Sequence, residues 1–347
     1  MRNSLPNQPE STPFHYIHSA NFPELLEKLG ISLFVSTYQA GKLIVVRAEQ
    51  GCLNTLLRNF ELVMGLALSP QQLAIGTRRQ IWFLPNIPGI ANKVDPPNQY
   101  DACFVPRWSQ VTGDIRIHEL AWVGEELWFV NTRFSCLCTV SPQYNFVPRW
   151  QPRFISQLKA EDRCHLNGLA VVEGQPKYVT VLGETDIPQG WREHKATGGC
   201  LIDVPTGEIV ARGFSMPHSP RVYAGKLWLL DSGRGRLVVV DPQTGDSTTV
   251  VELPGFTRGL TFCDRYGFVC LSQIREKKIF GGLAIEESNE ELQCAIWVVD
   301  IFTGEKVAFL RFQAGCTELF DIQVLPNCPQ PTVVGFQKPT INNIFIF

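Results

Sequence analysis

The sequence predicts an all-β fold, a β-propeller of four-stranded blades, and three observations carry that expectation. A short apolar motif returns along the chain: Met64-Gly65-Leu66-Ala67-Leu68, His118-Glu119-Leu120-Ala121-Trp122, Leu166-Asn167-Gly168-Leu169-Ala170 and Arg258-Gly259-Leu260-Thr261-Phe262. Each copy is followed by a hydrophobic strand that breaks at a polar turn. A unit of this kind recurring every ~40–60 residues, with no helical period inside it, marks a radial repeat of sheets.

Along the chain the elements follow in order. Residues 1–12 are rich in Pro, Ser, Asn and Gln and form a loose segment, and residues 13–347 form a single propeller domain. Phe14-His15-Tyr16-Ile17 is a candidate outer strand that closes the ring. Phe22 to Leu29 reads as a short helix, capped by Asn21 and ended by Gly30. Second-strand hairpins begin at Leu33, Leu73, Leu127, Tyr178, Leu227, Gly267 and Thr332, which suggests seven blades. Inner-strand motifs number six, near 65, 119, 168, 220, 259 and 321, so six blades is the alternative. In the seven-bladed count the first blade lacks an inner strand, and the segment ending Asn343-Ile344-Phe345-Ile346-Phe347 leaves a strand edge to be covered.

Composition bounds the function. The chain has 347 residues, 44% of them hydrophobic, and a formal net charge of −2. No run of Lys or Arg gives the footprint of a nucleic-acid binder. No apolar run is long enough to span a bilayer, and the amino terminus has no export signal, so a cytoplasmic protein with no membrane partner is expected. The 11 cysteines are odd in number and lack a C-x-x-C pair, which points to reduced, buried thiols; Cys136 and Cys138 should share one strand face.

In a propeller the inner strands line a central channel, so side chains distant in sequence meet there. Aligned on the residue before the motif glycine, one column reads Met64, His118, Asn167, Ser219, Arg258 and Phe320. His218 falls one position earlier, and His165 and Glu318 earlier still. Glu119 and Asp321 occupy the glycine column itself. His118, His165 and His218 are therefore the catalytic candidates. With Asn167 they are also a candidate ligand set for a divalent transition metal, because neutral imidazoles suit such ions. Local hydrogen bonding at strand ends is the competing reading. Arg221, Arg258 and Arg275, with Asn167 and Glu318, form a candidate ligand-binding set, since guanidinium forks match carboxylates and phosphates. Interblade ion pairs to Glu119, Asp321 or Glu276 are the alternative for any one of them. No Gly-x-Ser-x-Gly elbow supports a nucleophilic triad. The insertion from Glu184 to Gly199, carrying Asp186, Trp191, Arg192 and His194, is the expected cover over one mouth.

At five strings the chain resembles an uncharacterised bacterial family of conserved hypothetical proteins, a domain of unknown function (DUF4915). They are Thr37 to Leu43, Asp162 to Ala170, Pro217 to Arg221, Pro254 to Leu260 and Ile274-Arg275-Glu276, and the likeness spans residues 14–347. The family implies no activity. Leu166 to Ala170 is more loosely similar to gluconolactonase- and regucalcin-type propellers, a likeness that implies a metal-binding role for Asn167. The aspartate those proteins would place before another motif glycine is absent, because that column offers Ser219 and Arg258.

The combined expectation is a propeller whose channel mouth binds a small anionic molecule or a peptide, as a metal-dependent hydrolase or lyase. The alternative is a non-catalytic peptide- or protein-interaction module.

Overall fold

The computed structural model describes residues 13–274, 281–287, 291–337 and 339–346. Six four-stranded sheets form a β-propeller, each blade running from an inner strand to an outer one through antiparallel neighbours. Blade 2 contains Leu66–Leu68, Gln72–Gly76, Gln80–Pro85 and Trp108–Val111. Blade 3 contains Ile117–Val123, Glu126–Asn131, Cys136–Thr139 and Val147–Trp150. Blade 4 is built from Leu166–Val172, Gln175–Val181, Gly199–Asp203 and Ile209–Phe214. Blade 5 follows with Pro217–Tyr223, Lys226–Asp231, Arg236–Val240 and Ser247–Glu252. Phe256–Cys263, Tyr266–Ser272, Cys294–Asp300 and Lys306–Ala314 make blade 6.

The sequence pattern follows the radius. Second strands such as Ile31–Thr37 are buried at every position because sheets press on both faces, so their middles read as apolar runs, here Leu33-Phe34-Val35. Outer strands such as Ser247–Glu252 face solvent and are polar at their start. In blades 4, 5 and 6 the turn before the outer strand is an Asp-x-x-Thr-Gly box. The amide of Gly207, Gly245 or Gly304 donates to the carbonyl of Asp203, Asp241 or Asp300 at 2.7–2.8 Å. These glycines sit at φ of 70–79°, a region that costs other residues strain.

The ring closes with strands from both ends of the chain. Ile322–Pro326 is the inner strand of blade 1 and pairs with Ile31–Thr37, followed by Lys42–Glu49 and Cys52–Asn59. The count is therefore six, one blade per inner-strand motif. The seventh hairpin begins no blade: Pro331–Val333 pairs in parallel with Ala102–Phe104. His15–His18 does not close the ring either; it lies outside Lys306–Ala314 as a fifth strand of blade 6. The segment after Pro339 forms a short helical turn over Pro339–Asn343, not an edge strand.

Helix Asn21–Leu29 covers the seam where blade 6 meets blade 1, burying Phe22 and Leu26 against both blades. Full burial of such side chains stabilises a fold by roughly 1.5–3 kcal/mol each. The helix ends at Gly30 as expected, in the left-handed region at φ 63°. Its start differs: Ala20 is the capping residue, while Asn21 lies inside the helix and its amide donates to Val307 O at 2.9 Å. The cysteines among the described residues are all free. Cys136 and Cys138 do share a face, with Sγ atoms 3.4 Å apart.

Candidate functional site

The inner strands of blades 3, 4, 5 and 6 kink as they enter the channel. Arg116, His165 and Met216 take positive φ of 50–56°, and register shifts follow at each motif. The kinks aim side chains from four blades into one cavity of about 290 Å³. His118, His165 and His218 all line it, despite their different positions in the motif. Arg258, Glu318 and Phe320 form the opposite wall, with Tyr38 beside them.

His118 and His218 prove to be equivalents, which corrects the sequence register by one residue in blade 5. In each, Nδ1 meets the carbonyl two residues back and a hydroxyl 14 residues ahead. The partners are Arg116 O (3.2 Å) and Thr132 Oγ1 (2.7 Å) for His118. They are Met216 O and Ser232 Oγ, both 2.9 Å, for His218. Ser219, not Pro220, therefore stands in the glycine column, which reads Gly65, Glu119, Gly168, Ser219, Gly259, Asp321 around the ring. Glycine alternates with a polar residue for a steric reason. A Cβ on Gly65 would lie 2.8 Å from Glu119 Cα, and one on Gly259 2.9 Å from Asp321 Cα.

The hydrogen bonds fix the tautomers. The single Thr132 hydroxyl proton goes to Leu166 O at 2.6 Å, so Thr132 must accept from His118 Nδ1–H. Met216 O can only accept, which places a proton on His218 Nδ1 as well. His165 Nδ1 lies 2.9 and 3.0 Å from the two oxygens of Asp162, so it too donates from Nδ1. Asp162 is held in turn by Arg116 Nη1 at 2.8 Å. In the neutral form, His118 and His218 are thus left with the lone pair on Nε2. Burial and nearby positive charge keep His118 and His218 protonating only well below the usual imidazole range, so both are neutral near pH 7.

The Arg258 guanidinium stacks 3.7 Å over the Phe320 ring and its Nη1 lies 3.2 Å from Glu318 Oε1. Two buried donors on the wall have no partner among the described residues, Arg258 Nε and Trp191 Nε1. Trp191 comes from the insertion after blade 4's second strand, where Gly190–His194 forms one helical turn. Its indole packs 4.4 Å from the His165 ring. Gly183 permits that approach, since a Cβ there would sit 2.9 Å from Trp191 Cα. Arg192, from the same turn, lines the rim and lies over the Trp191 ring. Three arginines and one carboxylate thus line the cavity.

Other expected site residues are not brought here. Arg221 lies between blades: it pairs with Glu119, and its Nε donates to Leu260 O at 3.1 Å. Asn167 spends both ends of its amide on Pro217 O and the Thr180 hydroxyl, joining blades 4 and 5 below the cavity. Neither residue lines the cavity. Among the described residues no group of three His, Cys, Asp or Glu is arranged to hold a cation, although His118, His165 and His218 share the cavity. Arg275 lies outside the described residues.

Beneath the cavity, Glu119 Oε2 accepts from Leu169 N at 2.9 Å, and Asp321 Oδ2 accepts from Leu66 N at 2.8 Å. Each acid pins its blade to the next. Burial pushes the Glu119 carboxyl up to about 7, against the opposing pull of Arg221, and raises Asp321 in the same direction.

Tyr38, Arg116, Asp162, Trp191 and Arg192 are site residues that motif reading missed. A signal existed for two: Trp191 and Arg192 sit in the expected covering insertion.

Known proteins support the fold. The family described as a domain of unknown function (DUF4915) matches residues 20–334. No curated protein matches the chain. Among solved structures, a chain of a nidogen/laminin complex is similar with a TM-score of 0.54 at 10% identity, covering 86% of this chain and 99% of that one. A protein of unknown function from Bacteroides caccae is similar with a TM-score of 0.54 at 9% identity, covering 85% and 98%.

Proposed function

The chain belongs to that family of unassigned activity, and from this premise we propose that the propeller binds a small hydroxylated anion in its channel mouth. The observation that carries the reading is that two residues lining one cavity, Trp191 and Arg258, each hold an unpartnered buried donor, Nε1–H and Nε–H. A buried donor left unmade costs ~1–3 kcal/mol, which an oxygen of a bound molecule would recover. Arg258 and Arg192 supply the charge for a carboxylate or phosphate. The Nε2 lone pairs of His118 and His218 accept hydrogen bonds, so they call for hydroxyl donors on the same molecule. Rings of Phe320, Trp191 and Phe256 form the apolar surround that such pockets use to exclude water.

Isothermal titration with three four-carbon probes tests this. Tartrate carries both carboxylates and hydroxyls, succinate lacks the hydroxyls, and threitol lacks the charge. The expected order is tartrate tightest, succinate weaker by about 10-fold or more for two missing hydrogen bonds, and threitol undetectable. Equal binding of threitol and tartrate would overturn the anionic assignment, and no binding of either anion would overturn the reading as a whole.

A further inference from the structure

We propose that the site is catalytic and that His165 is its general base, activating water to hydrolyse an ester of the hydroxylated anion. The inference rests on the binding reading above and adds a reaction to it.

The three histidines differ in what stands behind Nδ1. His118 and His218 have only a carbonyl and a hydroxyl there. A proton arriving on Nε2 of either would leave a buried cation with no counter-charge. His165 has the Asp162 carboxylate, bonded through both oxygens, and Arg116 fixes that carboxylate from its far side. An imidazole oriented by a buried acid, with its outer nitrogen on a cavity, is the arrangement that accepts a proton during reaction. The local backbone agrees. Asp162 and His165 both hold positive φ, 51° and 50°, in one four-residue turn.

The rest of the wall narrows the reaction. No cysteine or lysine lines the cavity among the described residues, and the Ser272 hydroxyl is committed to Leu319 O at 2.9 Å. Tyr38 and Glu318 also line the cavity, and water is the nucleophile assigned here because it is the one that His165 Nε2 would activate. The unpartnered Trp191 Nε1–H and Arg258 Nε–H are donors for an oxygen that gains negative charge. The step balances without another reagent. His165 Nε2 takes a proton from water as its oxygen bonds to the ester carbonyl carbon, and the carbonyl oxygen becomes an oxyanion facing the two donors. Collapse breaks the bond to the alcohol oxygen, which leaves with the proton from the imidazolium. The products are the free acid and an alcohol.

The test follows methanol release from monomethyl tartrate by proton NMR, using the full chain. Wild-type protein should release methanol well above buffer. His165→Gln should lower kcat by about 100-fold or more, the usual worth of a general base. Asp162→Asn, a positioning change, should lower kcat with KM held within about 2-fold, because ground-state binding does not use the proton. Tartrate titration of each variant reports whether the fold and the binding site persist. Tartrate binding with no methanol release by wild type would overturn the catalytic inference and leave the binding proposal standing. A His165→Gln variant that binds tartrate and keeps its rate would overturn the role of His165. Failure of tartrate to bind the wild type would remove the premise of both.

Discussion

Arg221 and Glu119 form an ion pair across the joint between blades 5 and 3, and the same carboxylate also accepts from Leu169 N in blade 4. One residue thus ties three inner strands together below the cavity. Replacing Arg221 by Ala leaves a buried carboxylate without its counter-charge, so we expect a loss of about 3–5 kcal/mol, read as a lower urea midpoint. Arg221→Ala with Glu119→Gln should recover part of it. If Arg221→Ala leaves stability unchanged but weakens tartrate, the arginine belongs to the ligand site instead.

Arg192 and Arg258 are expected to behave differently from Arg221. Arg192 is exposed on the rim, so Arg192→Ala should keep the fold and weaken tartrate by about 10-fold, the worth of a charge-assisted bond. Arg258→Gln should weaken it more, because that guanidinium is buried against Phe320. Isothermal titration reads both. Unchanged affinity in the two variants would contradict the placement of the anion.

Two groups give the stability curve opposite slopes with pH. His118 and His218 stay neutral in the fold to well below 6.5, while the unfolded chain binds their protons near that value. The unfolded state then holds more protons, and stability falls as pH drops below 6.5. Glu119 acts in reverse. Its folded value of about 7 exceeds the ordinary 4.5, so its contribution is full below 4.5 and is lost as pH rises through 7. Urea titrations from pH 5 to 8 should show a shallower acid limb in His118→Gln and a shallower loss between pH 5 and 7 in Glu119→Gln. Parallel curves in all three proteins would contradict the burial of these groups in their stated forms.

Ring closure depends on the C-terminal part of the chain. Ile322–Pro326 is the inner strand of blade 1, so a chain ending at Gly315 should lose cooperative unfolding altogether. Phe22→Ala, at the same seam, should cost about 3–5 kcal/mol and leave a folded protein. Circular dichroism melts separate the two outcomes. A truncated chain that melts like the full one would refute the closure.

The fold was legible because second strands carry a short apolar run, and Leu33, Leu127 and Leu227 each begin one. The same signal over-counted at Thr332, since a short apolar run pairs equally well in parallel with Ala102–Phe104. Inner-strand motifs counted correctly because each must reach the axis. The site was legible in its histidines and in Arg258, which interrupt an apolar motif. Asn167 and Arg221 interrupt it too, yet they are consumed by neighbouring blades, and a single strand's sequence carries no record of what the next blade offers. His218 shifted by one because the register shift before Arg221 is invisible in residue spacing. Asp162 escaped notice because its role depends on the backbone turn that brings it under His165.

The central claim is that His118 and His218 present Nε2 lone pairs to the hydroxyls of a bound anion. Nitrogen-15 spectra of ring-labelled histidines at pH 7.5, with and without tartrate, test it directly. The account predicts a protonated Nδ1 and a bare Nε2 in both rings, with the two Nε2 signals shifting on tartrate addition while Nδ1 signals hold. Protons on Nε2 in the free protein, or Nε2 signals unmoved by saturating tartrate, would contradict it.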